Sequence, residues 1–152
     1  MRPFRLYVDT SVFGGVFDDE FSTASRLFFN QVFDGRYCLL ISKMLVSELG
    51  DAPPNVKDFY NTLPASCLEL LEENSEAYLL ADRYIQRGVI SKKYRADGLH
   101  VATATLANAQ AIVSWNFKHI VNFRRILGYE SVNIELGLHP VKIVSPLEMN
   151  NE

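Results

Sequence analysis

Cysteine is scarce, with two residues in a chain of 152, and neither belongs to a CxxC pair. Cys38 lies in Tyr37-Cys38-Leu39-Leu40-Ile41 and Cys67 in Cys67-Leu68-Glu69-Leu70, apolar settings where a free thiol behaves as a small hydrophobe. No HxxxH spacing accompanies them, so a structural zinc site has no support. Long apolar runs are missing as well: nothing approaches the ~18 consecutive residues that mark a membrane span. Met1-Arg2-Pro3-Phe4 leads straight into a strand-like segment without a signal-peptide core, so a cytoplasmic protein that engages no membrane is expected. Nor is there an excess of positive charge. Lys and Arg number 15 against 18 Asp and Glu, a formal net charge of −3, whereas a general phosphate-binding surface is basic. Any nucleic-acid contact must therefore rest on a local basic patch, or on metal ions that neutralise an acidic site. Internal repeats, low-complexity tracts and long linkers are also lacking. The turn signals at Gly14-Gly15, Ala52-Pro53-Pro54-Asn55 and Gly137-Leu138-His139-Pro140 separate no compositionally distinct halves, so residues 1–152 read as a single domain.

What is present is an ordinary globular composition, 48% apolar and 22% charged, enough for a real core at this length. Short apolar strands are predicted over Phe4–Asp9, Tyr37–Ile41, Cys67–Leu71, Ala111–Ser114 and Val141–Val144. Helices are predicted over Ser22–Phe33, from a Ser42 cap to about Asp51 before Pro53-Pro54, over Val56–Leu63, from a Ser75 cap to Gln86, and over Ala96–Ala107. In the last of these Leu99, Ala102, Thr103 and Leu106 fall at i, i+3, i+4 and i+7. Strands alternating with helices imply an α/β fold, a three-layer α/β/α sandwich with a mainly parallel central sheet. Such a sheet places its functional site at the carboxyl ends of its strands.

Four polar residues fall near those ends. Asp9 closes the first strand and precedes Thr10 and Ser11, hydroxyls able to hold its carboxylate or to cap the next segment. Glu48 lies at i+3 beside the stripe of Leu45, Leu49 and Ala52, where a carboxylate is costly unless a cation meets it. It snorkels to the helix rim, pairs with a lysine or holds a metal. Asp97 sits in the first turn of its helix, where the dipole favours a negative charge whether the role is structural or ligating. Asn116 stands just past Ala111–Ser114 and reads equally as a turn residue or as a neutral oxygen ligand.

Tyr7-Val8-Asp9-Thr10-Ser11, Val46-Ser47-Glu48-Leu49, Ala96-Asp97-Gly98-Leu99-His100-Val101-Ala102 and Ser114-Trp115-Asn116 together resemble the PIN family. Their order and spacing agree from about residue 5 to residue 147. The resemblance implies a PIN-like fold and Mg²⁺- or Mn²⁺-dependent hydrolysis of RNA phosphodiesters. It places Asp9, Glu48 and Asp97 as the metal-binding acids and Asn116 at the fourth acidic position, where the missing charge is a departure from the family's pattern. It further implies the toxin of a toxin–antitoxin pair, VapC-like, working as a homodimer with a small antitoxin partner. Carboxylates suit these hard cations, and one or two divalent ions supply what phosphodiester cleavage needs.

Thr10, Ser11 and His100 are expected to support the metal-binding acids. Lys92, Lys93, Arg95 and Lys118 would rim the site and meet an RNA backbone, or else be solvated helix-end cations. Arg124 and Arg125 would extend that patch. Asp18-Asp19-Glu20 reads as a solvated run before a helix. Phe28, Phe29, Phe33 and Tyr84 read as core or interface aromatics, and Trp115 as a packing residue. A competing expectation is a PIN scaffold without hydrolysis, binding RNA or a protein partner. A phosphate-handling domain with a DxDx[TV] motif fits less well, because Asp9-Thr10-Ser11 lacks the second acid.

Overall fold

The computed structural model describes residues 2–150. Strands β1 (Phe4–Val8), β2 (Tyr37–Ile41), β3 (Leu68–Leu70), β4 (Ala111–Val113) and β5 (Lys142–Val144) form one sheet in the order β3-β2-β1-β4-β5. Every neighbouring pair is parallel, with Leu6 opposite both Leu39 and Ala111. Parallel strands need crossovers rather than tight hairpins, and helices supply them. Helices α1 (Thr10–Gly15) and α2 (Ser22–Phe33) lie between β1 and β2, and α3 (Lys43–Gly50) and α4 (Pro54–Asn61) between β2 and β3. Next come α5 (Ser75–Gln86) and α6 (Arg95–Leu106), then α7 (Phe123–Glu135) between β4 and β5, and α8 (Pro146–Met149) after β5.

The period-2 alternation of strand side chains divides the core in two. Leu6, Val8, Leu39, Ile41 and Val113 pack against Val12, Phe13, Phe28, Phe29 and Leu45 from α1, α2 and α3. Tyr7, Leu40, Ile112 and Ile143 pack on the opposite face against Leu80, Tyr84, Val101, Ala102 and Tyr129 from α5, α6 and α7. The expected α/β/α layering is present, and the sheet is wholly parallel. Truncating a fully buried member such as Phe28 to Ala costs about 3–5 kcal/mol. Phe28, Phe29 and Tyr84 are core residues as read, while Phe33 is exposed.

Several local expectations are revised. Gly14-Gly15 is the last turn of α1, not a free-standing turn. A Cβ on Gly15 would sit 2.5 Å from Ser25 Oγ and 2.7 Å from Trp115 Nε1. Glycine there lets α1 approach the Trp115–Ser25 hydrogen bond (2.8 Å). Helix α5 is capped by Asn74, whose Oδ1 accepts from Glu76 N at 2.9 Å, and Ser75 is its first residue. Pro54 opens α4 two residues before the predicted start, in the first-turn position where its missing N–H is harmless. Helix α6 has no single apolar face. Gly98, Leu99, His100, Val101, Ala102, Ala104 and Thr105 are buried, and Thr103 and Leu106 are only partly so. The sheet and α5 enclose α6, and Asn133 Nδ2 of α7 donates to Thr105 at 3.3 Å. Helix α7 carries no predicted counterpart, because Phe123, Leu127 and Ile134 are exposed and its buried side chains are Tyr129, Val132 and Asn133.

Candidate active site

The strand order reverses between β1 and β4, and in doubly wound sheets that reversal opens a crevice at the carboxyl ends of the strands. Asp9 occupies this crevice. Its extended backbone (φ −82°, ψ 173°) ends β1 and starts α1, yet its side chain caps nothing. Instead Oδ1 accepts from Ser11 Oγ at 2.5 Å and Oδ2 from Ser114 Oγ at 2.8 Å. Both hydroxyls are themselves polarised. Ser11 Oγ accepts from Trp115 N at 2.9 Å, and Ser114 Oγ accepts from Asn116 N at 2.9 Å. Asp9 is buried, 5% exposed. Burial pushes its carboxyl above the ordinary range, against the field of His100 and the two serine bonds, and Glu48 pushes it higher still. Ser114 is a site contact that the sequence shows only as part of the strand-end Ser114-Trp115-Asn116 element.

Glu48 projects from α3 beside Asp9. Its Oε1 accepts from Thr10 Oγ1 of α1 and pairs with His100 Nε2 of α6 at 2.9 Å. Half-burial works to raise its carboxyl, but the hydrogen bond and charge of His100, aided by Thr10, bring it below the ordinary range. His100 Nδ1 meets Tyr7 Oη at 2.7 Å, and Tyr7 Oη meets Ser42 Oγ at 2.8 Å. Ser42 also caps α3 as expected, accepting from Leu45 N at 3.1 Å. Tyr7 and Ser42 were legible in the sequence only as core and cap.

Asp97 enters from the first turn of α6 and is partly buried. Burial raises its carboxyl; His119, His100 and a hydrogen bond from the Asn116 side chain oppose this, and Glu48 adds repulsion. Asn116 Oδ1 accepts from the backbone N–H of Lys118 (3.2 Å) and of His119 (3.0 Å), so the oxygen caps the turn that comes after β4. With the oxygen so used, its amide is the group left to face Asp97. The His119 ring stacks on Tyr94 at 3.7 Å between centroids, and its Nδ1 is buried without a hydrogen-bond partner. Trp115 packs away from the acids, stacked on Phe21 at 4.2 Å.

The basic residues fall into two groups. Lys92, Lys93 and Lys118 are exposed, the first two in the 3-10 turn Lys92–Tyr94 that precedes α6. Arg95 is committed instead to α5, with Nε 2.8 Å from Asp82 Oδ1 and its guanidinium over the Tyr78 ring. Arg124 is exposed. Asp18 of the acidic run accepts from Glu20 N and Phe21 N, a local turn before α2.

The structure thus gathers Asp9, Glu48, Asp97 and Asn116, with Thr10, Ser11 and His100, around one crevice. Glu48 repels both aspartates, so the carboxylates share one field. Among the described residues no three acids or imidazoles stand close enough to form a ready-made metal cage. No described helix is long and apolar enough to cross a membrane.

No family model matches the sequence, and no curated protein matches it. A chain in the crystal structure of VapBC2 from Rickettsia felis, bound to a DNA fragment from their promoter, is similar in structure with a TM-score of 0.59. The match covers 93% of this chain and 98% of that chain at 12% sequence identity, a likeness of fold.

Proposed function

We propose that this chain is a metal-dependent endoribonuclease of the PIN type, the toxin of a toxin–antitoxin pair, acting as one domain within a homodimer. The observation that carries the reading is that Glu48 of α3 acts on both Asp9, just past β1, and Asp97 of α6, in the crevice where strand order reverses. A structural role would pair these acids with Lys or Arg. Here burial and repulsion from Glu48 push the two aspartates up, and the groups opposing this are hydroxyls, an amide and imidazoles. An all-oxygen set with uncompensated charge fits a hard divalent cation, Mg²⁺ or Mn²⁺. Because no three ligands are preassembled, water and substrate phosphate would complete the shell, as is common for Mg²⁺. Asp9 and Asp97 would be direct ligands and Glu48 a ligand through water.

A bound divalent cation supplies Lewis acidity to phosphodiester hydrolysis, in which water adds to phosphorus and one ribose oxygen departs. The chain's own part is placement. Ser11 and Ser114 hold both oxygens of Asp9, and Thr10 and His100 hold one oxygen of Glu48. Lys92, Lys93 and Lys118 would meet the RNA backbone, giving the local basic patch that a chain of net charge −3 needs. The fold likeness to a VapBC2 chain supports an antitoxin partner.

A second reading, a PIN scaffold that binds RNA or protein without cutting, draws on Asn116. Its oxygen serves the backbone of Lys118 and His119, so the fourth acidic position acts as a turn cap. Incubating the protein with mixed-sequence RNA and Mn²⁺ separates the two. Cleavage that a chelator stops, and that Asp9→Asn and Asp97→Asn both lack, is the expected result. Full cleavage by either variant would overturn the proposed mechanism, and RNA retained but uncut would favour the second reading.

A further inference from the structure

We infer that His100 is a positioning residue which, locked from behind by Tyr7 and Ser42, fixes the orientation in which Glu48 is presented to the metal. The inference rests on the metal-site reading above and concerns how that site is held in shape.

Four side chains from β1, α3 and α6 form one chain of contacts. Leu45 N donates to Ser42 Oγ at 3.1 Å, Ser42 Oγ meets Tyr7 Oη at 2.8 Å, Tyr7 Oη meets His100 Nδ1 at 2.7 Å, and His100 Nε2 meets Glu48 Oε1 at 2.9 Å. One donor is fixed in either protonation state. A carboxylate only accepts, so Nε2 carries a proton that points at Glu48. In the neutral ring Nδ1 accepts from the Tyr7 hydroxyl and that hydroxyl from Ser42, and in the charged ring both of these bonds reverse, with Ser42 Oγ taking the Leu45 N–H throughout. Ser42, Tyr7 and His100 are each satisfied within the chain, and Glu48 Oε1 takes a second hydrogen bond from Thr10. Tyr7, Ser42 and His100 are 0%, 6% and 3% exposed. A buried network whose members are hydrogen-bonded to one another holds its terminal group in one place.

Glu48 needs such a restraint. It is a flexible side chain on a helix edge, 35% exposed, and α3 buries Leu45 and Leu49 but not Glu48 itself. Without His100 only Thr10 would hold its carboxylate. His100 is not itself placed as a ligand, since both ring nitrogens are occupied. The contact of its ring with Tyr7, 5.6 Å between centroids, adds to the immobilisation.

The test uses Mn²⁺ as probe and calorimetric affinity as readout, with thermal unfolding as the check on folding. In His100→Gln the amide nitrogen can take the place of Nε2, and in His100→Asn it can reach only the place of Nδ1. His100→Asn is expected to weaken Mn²⁺ binding by about tenfold or more, the usual loss for a group that orients a ligand. His100→Gln is expected to recover most of that loss, and Tyr7→Phe, which frees the ring without touching Glu48, to show an intermediate effect. If His100 acts through Glu48, its substitution loses its effect once Glu48→Gln is present, a non-additivity that a general structural role would not produce. Unchanged affinity in His100→Asn, or equal losses with and without Glu48→Gln, would overturn the inference while leaving the metal site standing. Should His100→Asn fail to fold, the comparison of Tyr7→Phe with and without Glu48→Gln decides it in the same way. Wild-type protein that binds no Mn²⁺ would overturn both this inference and the site reading beneath it.

Discussion

Helix α6 runs past the sheet with a carboxylate near each of its ends, and the two ends are built on opposite plans. Near its C-terminus Glu69 of β3 meets Arg5 of β1 through two hydrogen bonds, Nε–Oε1 at 3.0 Å and Nη2–Oε2 at 2.7 Å. The same guanidinium donates to the carbonyls of Ala107 and Asn108 just past the helix, where a cation complements the dipole. Here every charge has its partner, and Glu69 sits below the ordinary carboxylate range because Arg5 holds it there. At the N-terminus of α6, Asp97 and Asp9 are both repelled by Glu48, and the groups that oppose this are hydroxyls, an amide and imidazoles. One end of the helix is a finished structural clamp; the other holds two aspartates whose burial the surrounding hydroxyls, amide and imidazoles only partly offset. The difference teaches where to look for function: in acids whose conflict the native structure leaves in place.

The comparison breaks most sharply on metal. Asp9→Asn is expected to lower Mn²⁺ affinity by more than the roughly 100-fold that bounds the loss of an orienting partner. Glu69→Gln should leave affinity within about twofold, since it removes charge from the compensated end. Calorimetry on both variants checks this, and similar losses in the two would mean that the contrast between the ends has no functional content. Asn116→Asp comes next. Aspartate keeps the two backbone bonds that Asn116 Oδ1 makes and adds charge beside Asp97, so Mn²⁺ binding should tighten by about tenfold, or 1.4 kcal/mol. A fall in affinity would place residue 116 outside the metal's surroundings.

Stability should respond in the opposite sense at the site. Asp97 is raised by burial, so its contribution to folding is fully present below its unfolded pKa, about 3.9, and is lost as pH rises through the higher folded value. At neutral pH the metal-free protein therefore carries Asp97 as a liability. Asp97→Asn should raise the unfolding midpoint without metal, by more than the ~0.5 kcal/mol scatter of surface substitutions, while it weakens stabilisation by Mn²⁺. A lower midpoint in metal-free Asp97→Asn would show that its carboxylate is structurally compensated after all.

Much of this plan is legible in the sequence, and what is not has physical reasons. The strands announce themselves because buried parallel strands are continuous apolar runs, and Asp9 is visible because β1 ends on it. Glu48 and Asp97 are found from their place on helices. The partners that make the site specific are harder to see. Ser114, Tyr7 and Ser42 look like a strand-end hydroxyl, a core aromatic and a helix cap, and they become site contacts only when β1, β4 and α6 come together. Helix α7 escapes notice because its exposed face is as apolar as its buried one, and α1 because Gly14-Gly15 reads as a turn until Trp115 packs against it. Arg95 looks like one more rim cation, yet Asp82 engages it. Side chains whose role depends on a neighbour distant in sequence carry no local signal of it.

The smallest effect belongs to the compensated end and has the opposite sign in pH. Glu69 is lowered by Arg5, so it contributes stability above its unfolded pKa, about 4.3, and that contribution disappears as pH falls through the depressed folded value. The pair is partly exposed, 36% and 42% at the two side chains, so solvent screening limits its worth to about 0.2–1 kcal/mol. Glu69→Gln should therefore lower stability by no more than that at pH 7 and by less at pH 3, with the difference shrinking as salt is added. Denaturant unfolding of wild type, Glu69→Gln and Asp97→Asn at pH 3, 5 and 7 reads both ends together. The gap between wild type and Glu69→Gln should open from pH 3 to 5, and the advantage of Asp97→Asn should grow from pH 3 to 7. If both variants followed the same trend, the acids at the two ends of α6 would be electrostatically alike, and the case for a cation at one of them would lose its basis.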